Sequence, residues 1–147
     1  MSIKQRLMDD LKAAMKSKDK VRKNVVTMIR AAIKQSEVDQ RIELTDEDII
    51  DIISKQGKQK RDALEDFKKA ERQDLIDLTE TELDILSEYL PQQLTEEEID
   101  EIVKMAIDEV GANSSKDMGK VMGKVMPKVK GRADGGIVNR IVRQYLE

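Results

Sequence analysis

Lysines at every fourth position are the residues of this chain best placed to do chemistry. In the run Lys116-Asp117-Met118-Gly119-Lys120-Val121-Met122-Gly123-Lys124-Val125-Met126, the spacing of Lys116, Lys120 and Lys124 predicts one row along a helix. Ammonium groups in such a row suit contacts to phosphates, which give salt-sensitive affinity with little sequence preference. Met118, Val121, Met122, Val125 and Met126 follow the i, i+3, i+4, i+7, i+8 spacing of a buried stripe on the opposite side. Gly119 and Gly123 stand one turn apart on the flank between them. An interior glycine costs a helix about 1 kcal/mol. The pair is therefore expected to be helix-packing glycines that let another backbone approach closely. The interleaved lysines exclude a membrane helix built on the same glycine spacing.

Lys128, Lys130, Arg132, Arg140 and Arg143 complete the candidate RNA-binding set. Pro127 is expected to end or kink the lysine-bearing helix, which would put Lys128 and Lys130 on the following loop. Asp134, before Gly135-Gly136, is expected to cap the last helix and to occupy amides that could otherwise seat a phosphate. From Gly111 onward eight basic residues stand against three acidic ones, a net +5; the remaining nineteen basic and twenty-seven acidic residues give −8. The basic end is the better candidate for meeting a polyanion.

Other chemistry is limited by what the chain lacks. It has no cysteine and no histidine, so thiolate catalysis, Cys-ligated zinc and the usual triads cannot be built. Independent catalysis, a metal and a cofactor are therefore not expected, and no catalytic residue is assigned. The acidic runs Thr45-Asp46-Glu47-Asp48 and Thr95-Glu96-Glu97-Glu98 read as helix starts, where carboxylates complement the dipole, before they read as metal sites. With 2% aromatics, a base-stacking platform for single strands is not expected. Met118, Met122, Met126 and Met105 could line an adaptable partner groove, but at this spacing methionine is expected in the core.

These residues must be positioned by helices. Of 147 residues 39% are charged, with 7 Gly and 2 Pro, too few turn-formers for an all-β chain, so the fold expected is all-α. Ser2 with Gln5 predicts a capping box opening a helix that stops near Ser17-Lys18, and Asp19 caps a second helix to about Val38. Together they form an N-terminal hairpin. Thr45 opens a long helix with a solvated middle, and another from about Arg72 to Leu90 buries Leu75, Leu78, Leu83, Leu86 and Tyr89. The two should make a long helical arm, each member about 25–35 Å.

Pro91 ends the arm, giving an N-terminal helical domain over 1–90 and a connection over 91–94. A small three-helix bundle follows over 95–147. Its first helix opens with a Thr95/Glu98 capping box and stops at Gly111. Ser114 or Ser115 caps the lysine-bearing helix, and the last helix turns Ile137, Val138, Ile141, Val142, Tyr145 and Leu146 inward. No segment is long and apolar enough to span a membrane, and the N-terminus has no signal-peptide hydrophobic region. A soluble, cytoplasmic protein without a membrane partner is expected.

The runs Tyr89-Leu90-Pro91-Gln92-Gln93-Leu94-Thr95-Glu96-Glu97-Glu98, Asp117-Met118-Gly119-Lys120-Val121-Met122-Gly123 and Gly131-Arg132-Ala133-Asp134-Gly135 resemble the YqeY family of small bacterial proteins over the whole chain. The C-terminal half also resembles the tail domain of the GatB subunit of the glutamine-dependent amidotransferase that amidates Glu-tRNA(Gln) or Asp-tRNA(Asn). The resemblance implies that Lys116, Gly119, Lys120, Val121, Met122, Gly123, Gly131, Ala133, Asp134 and Gly135 are tail-like, in a domain that helps hold tRNA outside the catalytic body. That body, with its ATP and metal sites, has no counterpart in residues 1–90. The expected function is thus a noncatalytic tRNA-interacting or amidotransferase-associated accessory protein. One alternative is a helical protein interaction module acting through the arm; a weaker one is a contribution to carbon–nitrogen ligase activity with glutamine as amide donor.

Overall fold

Short polar side chains set five of the seven helix starts. The computed structural model describes all residues, Met1–Glu147, as seven α-helices without a strand. These are α1 Ile3–Ser17, α2 Lys20–Gln40, α3 Asp46–Lys69, α4 Gln73–Ser87, α5 Glu96–Val110, α6 Met118–Val129 and α7 Gly135–Leu146, with a 3-10 turn at Ser115–Asp117 before α6. Thr45 with Asp48 and Thr95 with Glu98 form complete capping boxes, each satisfying two otherwise orphaned amides. The box at Ser2 is one-sided. Its hydroxyl accepts from the Gln5 N–H at 3.1 Å, but the Gln5 side chain turns to Asp9. Asp19 caps α2 through the Arg22 N–H. No helix is long and apolar enough to cross a membrane.

The chain divides into two units, Met1–Leu90 and Pro91–Glu147. In the first, α1 and α2 form the expected hairpin, and their inner faces (Leu7, Val25, Val26, Ile29) share one core with Ile49 and Ile53 of α3 and Ile85, Leu86 and Tyr89 near the end of α4. Burying each such aliphatic side chain stabilises the fold by about 1.5–3 kcal/mol. The first turns of α3 and the last of α4 thus root the helical arm in the domain core. At about 1.5 Å per residue α3 spans about 36 Å and α4 only about 22 Å, and Lys60 on α3 ties to Glu82 on α4 at 3.1 Å.

Several expectations for this unit need correction. Leu78 is 43% exposed, while Thr79 and Ile85 take buried places on α4. Gly57, in the supposedly solvated middle of α3, is buried and continues the inner line from Ile53 towards Leu64. Helix α2 runs past Val38 to Gln40, and Arg41 closes it with φ 55°.

At the end of α4, a cluster of charged and polar side chains holds the chain to the hairpin. The Tyr89 hydroxyl donates to Asp10, and the Arg6 guanidinium lies 5.0 Å over the Tyr89 ring and donates to the Glu88 carbonyl at 2.9 Å. Arg22 pairs with Glu88.

In the second unit α5, α6 and α7 enclose an aliphatic core of Ile99, Val103, Ala106, Val121, Val125, Val129, Val138, Ile141, Val142 and Leu146. Residues before α5 are bonded onto the α6–α7 turn. The Leu94 N–H donates to the Arg132 carbonyl at 2.8 Å, the Gln93 amide to the Gly131 carbonyl at 2.9 Å, and Arg132 Nε to the Gln92 carbonyl at 3.3 Å. Tyr145, expected inside, is 40% exposed. Its hydroxyl donates to Asp100 at 2.7 Å, and Lys104 lies 5.8 Å from its ring centre.

Candidate nucleic-acid interface

Helix α6 is anchored by Val121, Val125 and Val129, all 0% exposed and spaced one turn apart. At about 100° per residue, Gly123 and Pro127 lie about 160° from Val125, with Gly119 and Lys120 beside them. Gly119 and Gly123 are exposed, and an added Cβ on either would meet nothing within 4 Å. This overturns their assignment as helix-packing glycines, because the helix is too narrow for both strips to face the core. The outer surface of α6 is instead a ridge of bare backbone.

Lysines border this ridge on one side. Lys120 and Lys124 are exposed in α6, and Lys116 is exposed in the turn before it. The Lys120 ammonium stands 4.0 Å from Asp117, with its side chain 73% exposed, a contact worth little in water. Lys116, Lys124 and Lys128 have no partner. Met122 and Met126 border the other side; Met118 and Met122 only flank the core, Met126 is 37% exposed and Met105 62%. The methionines are therefore not core residues as a group.

Pro127 does not end the helix. It lies inside α6, and Lys130 follows as the C-cap with its N–H on the Met126 carbonyl at 2.9 Å. Proline removes the bond to the carbonyl four residues back and its ring crowds that carbonyl; here the carbonyl belongs to exposed Gly123, where it can tilt towards water. Lys128 thereby continues the row as a helical residue, and only Lys130 lies beyond it. Neither Ser114 nor Asp117 caps with its side chain; Asp117 instead accepts from the Asn113 N–H at 3.2 Å. Asp134 does cap α7, accepting from the Gly136 N–H at 2.8 Å.

The arginines are dispersed. Arg132 is committed to the Gln92 carbonyl. Arg140 pairs with Glu96 at 2.7 Å in a shallow depression that also holds Glu97, Asp100 and Glu101. Arg143 donates to Asn139 at 3.1 Å. Of the eight candidate cations, the structure places Lys116, Lys120, Lys124, Lys128 and Lys130 on or at the ends of α6 and gives Arg132 and Arg140 structural contacts. No three acidic side chains converge to hold a metal ion.

One basic surface escapes a count made over residues 1–110 together. Residues 1–41 hold eleven basic and five acidic side chains, +6, whereas 42–90 hold seven and fifteen, −8. Counting by helix would have revealed the α1–α2 hairpin as basic.

The profile of the family described as "Yqey-like protein" matches residues 4–146. Relatives that match this chain carry the name "Altered inheritance of mitochondria protein 41, mitochondrial". The one from Pyrenophora tritici-repentis is 37% identical over 105 residues, covering 70% of this chain and 58% of the relative. The Lachancea thermotolerans protein is 34% identical over 147 residues, covering 95% and 79%. The Saccharomyces cerevisiae S288c protein is 30% identical over 151 residues, covering 96% and 82%. With the profile extending from α1 to α7, the chain belongs to the YqeY-like protein family.

Proposed function

We propose that this chain is a noncatalytic, tRNA-interacting accessory protein that lays the outer face of α6 against the RNA backbone. The observation that carries this reading is the pairing of unpartnered lysines with a strip of bare helix backbone at Gly119 and Gly123. Absent side chains let a sugar-phosphate chain come close, and the flanking ammonium groups neutralise phosphates as it does. Recognition by shape and backbone fits a folded RNA and requires no aromatic platform. The resemblance to an amidotransferase tail supports tRNA as that RNA. A cytoplasmic site is proposed for this chain, and the mitochondrial names of its relatives are compatible with the same role wherever tRNA is present.

The test is fluorescence-anisotropy binding of the full chain to deacylated tRNA across a salt series, beside a DNA duplex of equal length and the K120E/K124E variant. Each phosphate neutralised should lower log K by about 0.7–0.9 per unit of log salt, so four lysines predict a slope near −3. Preference for tRNA, lost in the variant, supports the proposal. Equal affinity for the duplex, or unchanged binding by the variant, contradicts it.

A further inference from the structure

A second surface, independent of α6, lies on the outside of the α1–α2 hairpin. A groove of about 510 Å³ runs between the two helices, with Leu7 and Ile33 beneath it. Its open floor is Met8, 40% exposed, together with Thr27 and Ala31, exposed one turn apart on α2. The Thr27 hydroxyl donates to the Lys23 carbonyl at 2.7 Å, so its proton is already committed to the helix. Small residues one turn apart make room for an incoming backbone, and methionine adapts to irregular apolar partners.

The rim is cationic. Arg30 and Lys34, also one turn apart and exposed, have no partner. Glu37 is the one acid in the wall, and it is already committed: it pairs with Lys4 and accepts the Leu44 N–H at 2.8 Å. Those two bonds hold its carboxyl below the ordinary carboxylate range, so it stays a partner of Lys4. The excess of +6 over residues 1–41 adds a field of the same sign.

We infer that this groove docks an acidic amphipathic helix of another protein, its apolar stripe on Met8, Thr27 and Ala31 and its carboxylates against Arg30 and Lys34. An apolar floor between two helical ridges is the geometry of helix-in-groove recognition, read by anchors at i, i+3, i+4 and i+7. A nucleic-acid backbone would match the rim but leave the methionine floor uncovered. The rim excludes a basic helix by like-charge repulsion.

The test uses the full chain and a fluorescein-labelled, helix-capped peptide with leucines at i, i+3, i+4 and i+7 and glutamates on its flanks, beside the same peptide with lysines for glutamates. The glutamate peptide should bind at least tenfold tighter than the lysine peptide, and R30E/K34E should reverse that order. M8D should weaken the glutamate peptide while leaving the melting temperature unchanged. Absence of glutamate-peptide binding, or binding indifferent to R30E/K34E, overturns the inference. So does tRNA binding that R30E/K34E abolishes, which would make the groove an RNA surface. Self-association lost in the same variant would make the occupant a second copy, and would equally overturn it.

Discussion

The two basic surfaces of this protein carry similar charge and opposite relief. The α1–α2 hairpin spreads its cations along an apolar trough floored by Met8 and Ala31. Helix α6 aligns its lysines beside an exposed ridge with no side chains at Gly119 and Gly123. Net charge alone would assign both to one polyanion. What separates them is what lies between the cations: methyl and thioether groups favour an apolar helix face, whereas bare backbone favours close approach by a phosphate chain.

Removing one of the two surfaces through its core should have the largest effect. Val125 is fully buried beneath the α6 ridge, and Val125→Asp should destabilise the Pro91–Glu147 unit by about 3–5 kcal/mol, since a lone carboxylate has no partner there. Loss of helical circular dichroism with loss of tRNA binding is expected; retained binding would place the RNA elsewhere.

A smaller effect is expected at Tyr89, which is 2% exposed and joins the end of α4 to α1. Tyr89→Phe removes a hydrogen bond to a carboxylate and should cost about 1.5–3 kcal/mol in urea unfolding. Burial first, and then the Asp10 carboxylate, raise the phenol above its ordinary value. A group whose folded value is raised contributes fully below its unfolded value and loses that contribution above it. The wild-type advantage over Tyr89→Phe should therefore hold below pH 10 and shrink above it. An advantage independent of pH through that range would mean the hydrogen bond is not the source.

The smallest energies belong to the two glycines of the α6 ridge. Gly119→Ala and Gly123→Ala should each stabilise the protein by about 0.5–1 kcal/mol in urea unfolding, because both sites are helical and open. Close packing would have made both substitutions destabilising. The same variants should weaken tRNA binding if the bare ridge admits the backbone. Stabilisation without any loss of affinity would leave only the lysines at the interface.

Much of the fold was legible because its punctuation is local. The boxes at Thr45 and Thr95, the cap at Asp19, the left-handed Gly111 and Pro91 all act within a few residues of the boundary they set. Pro127 misled because the carbonyl it frees and crowds belongs to exposed Gly123, which can turn to water while the helix continues. Leu78 and Tyr145 misled because helix periodicity gives a stripe without saying how wide its partner will cover it. The candidate site was legible as a row of lysine positions, yet the commitments of Arg132 and Arg140 to Gln92 and Glu96 join residues forty or more apart, beyond the reach of spacing. The glycines misled through a sound energetic premise: a helical glycine needs an offsetting benefit, and here nothing inside the protein supplies it.

The most direct measurement is a titration of the isotope-labelled full chain with tRNA, following backbone amide chemical shifts in two-dimensional NMR. Contact through the α6 ridge predicts that Gly119, Lys120, Gly123 and Lys124 move first and most, while Thr27 and Ala31 of the hairpin groove stay in place. Perturbation centred on Thr27, Arg30, Ala31 and Lys34, with α6 unmoved, would contradict the assignment of the RNA surface to α6.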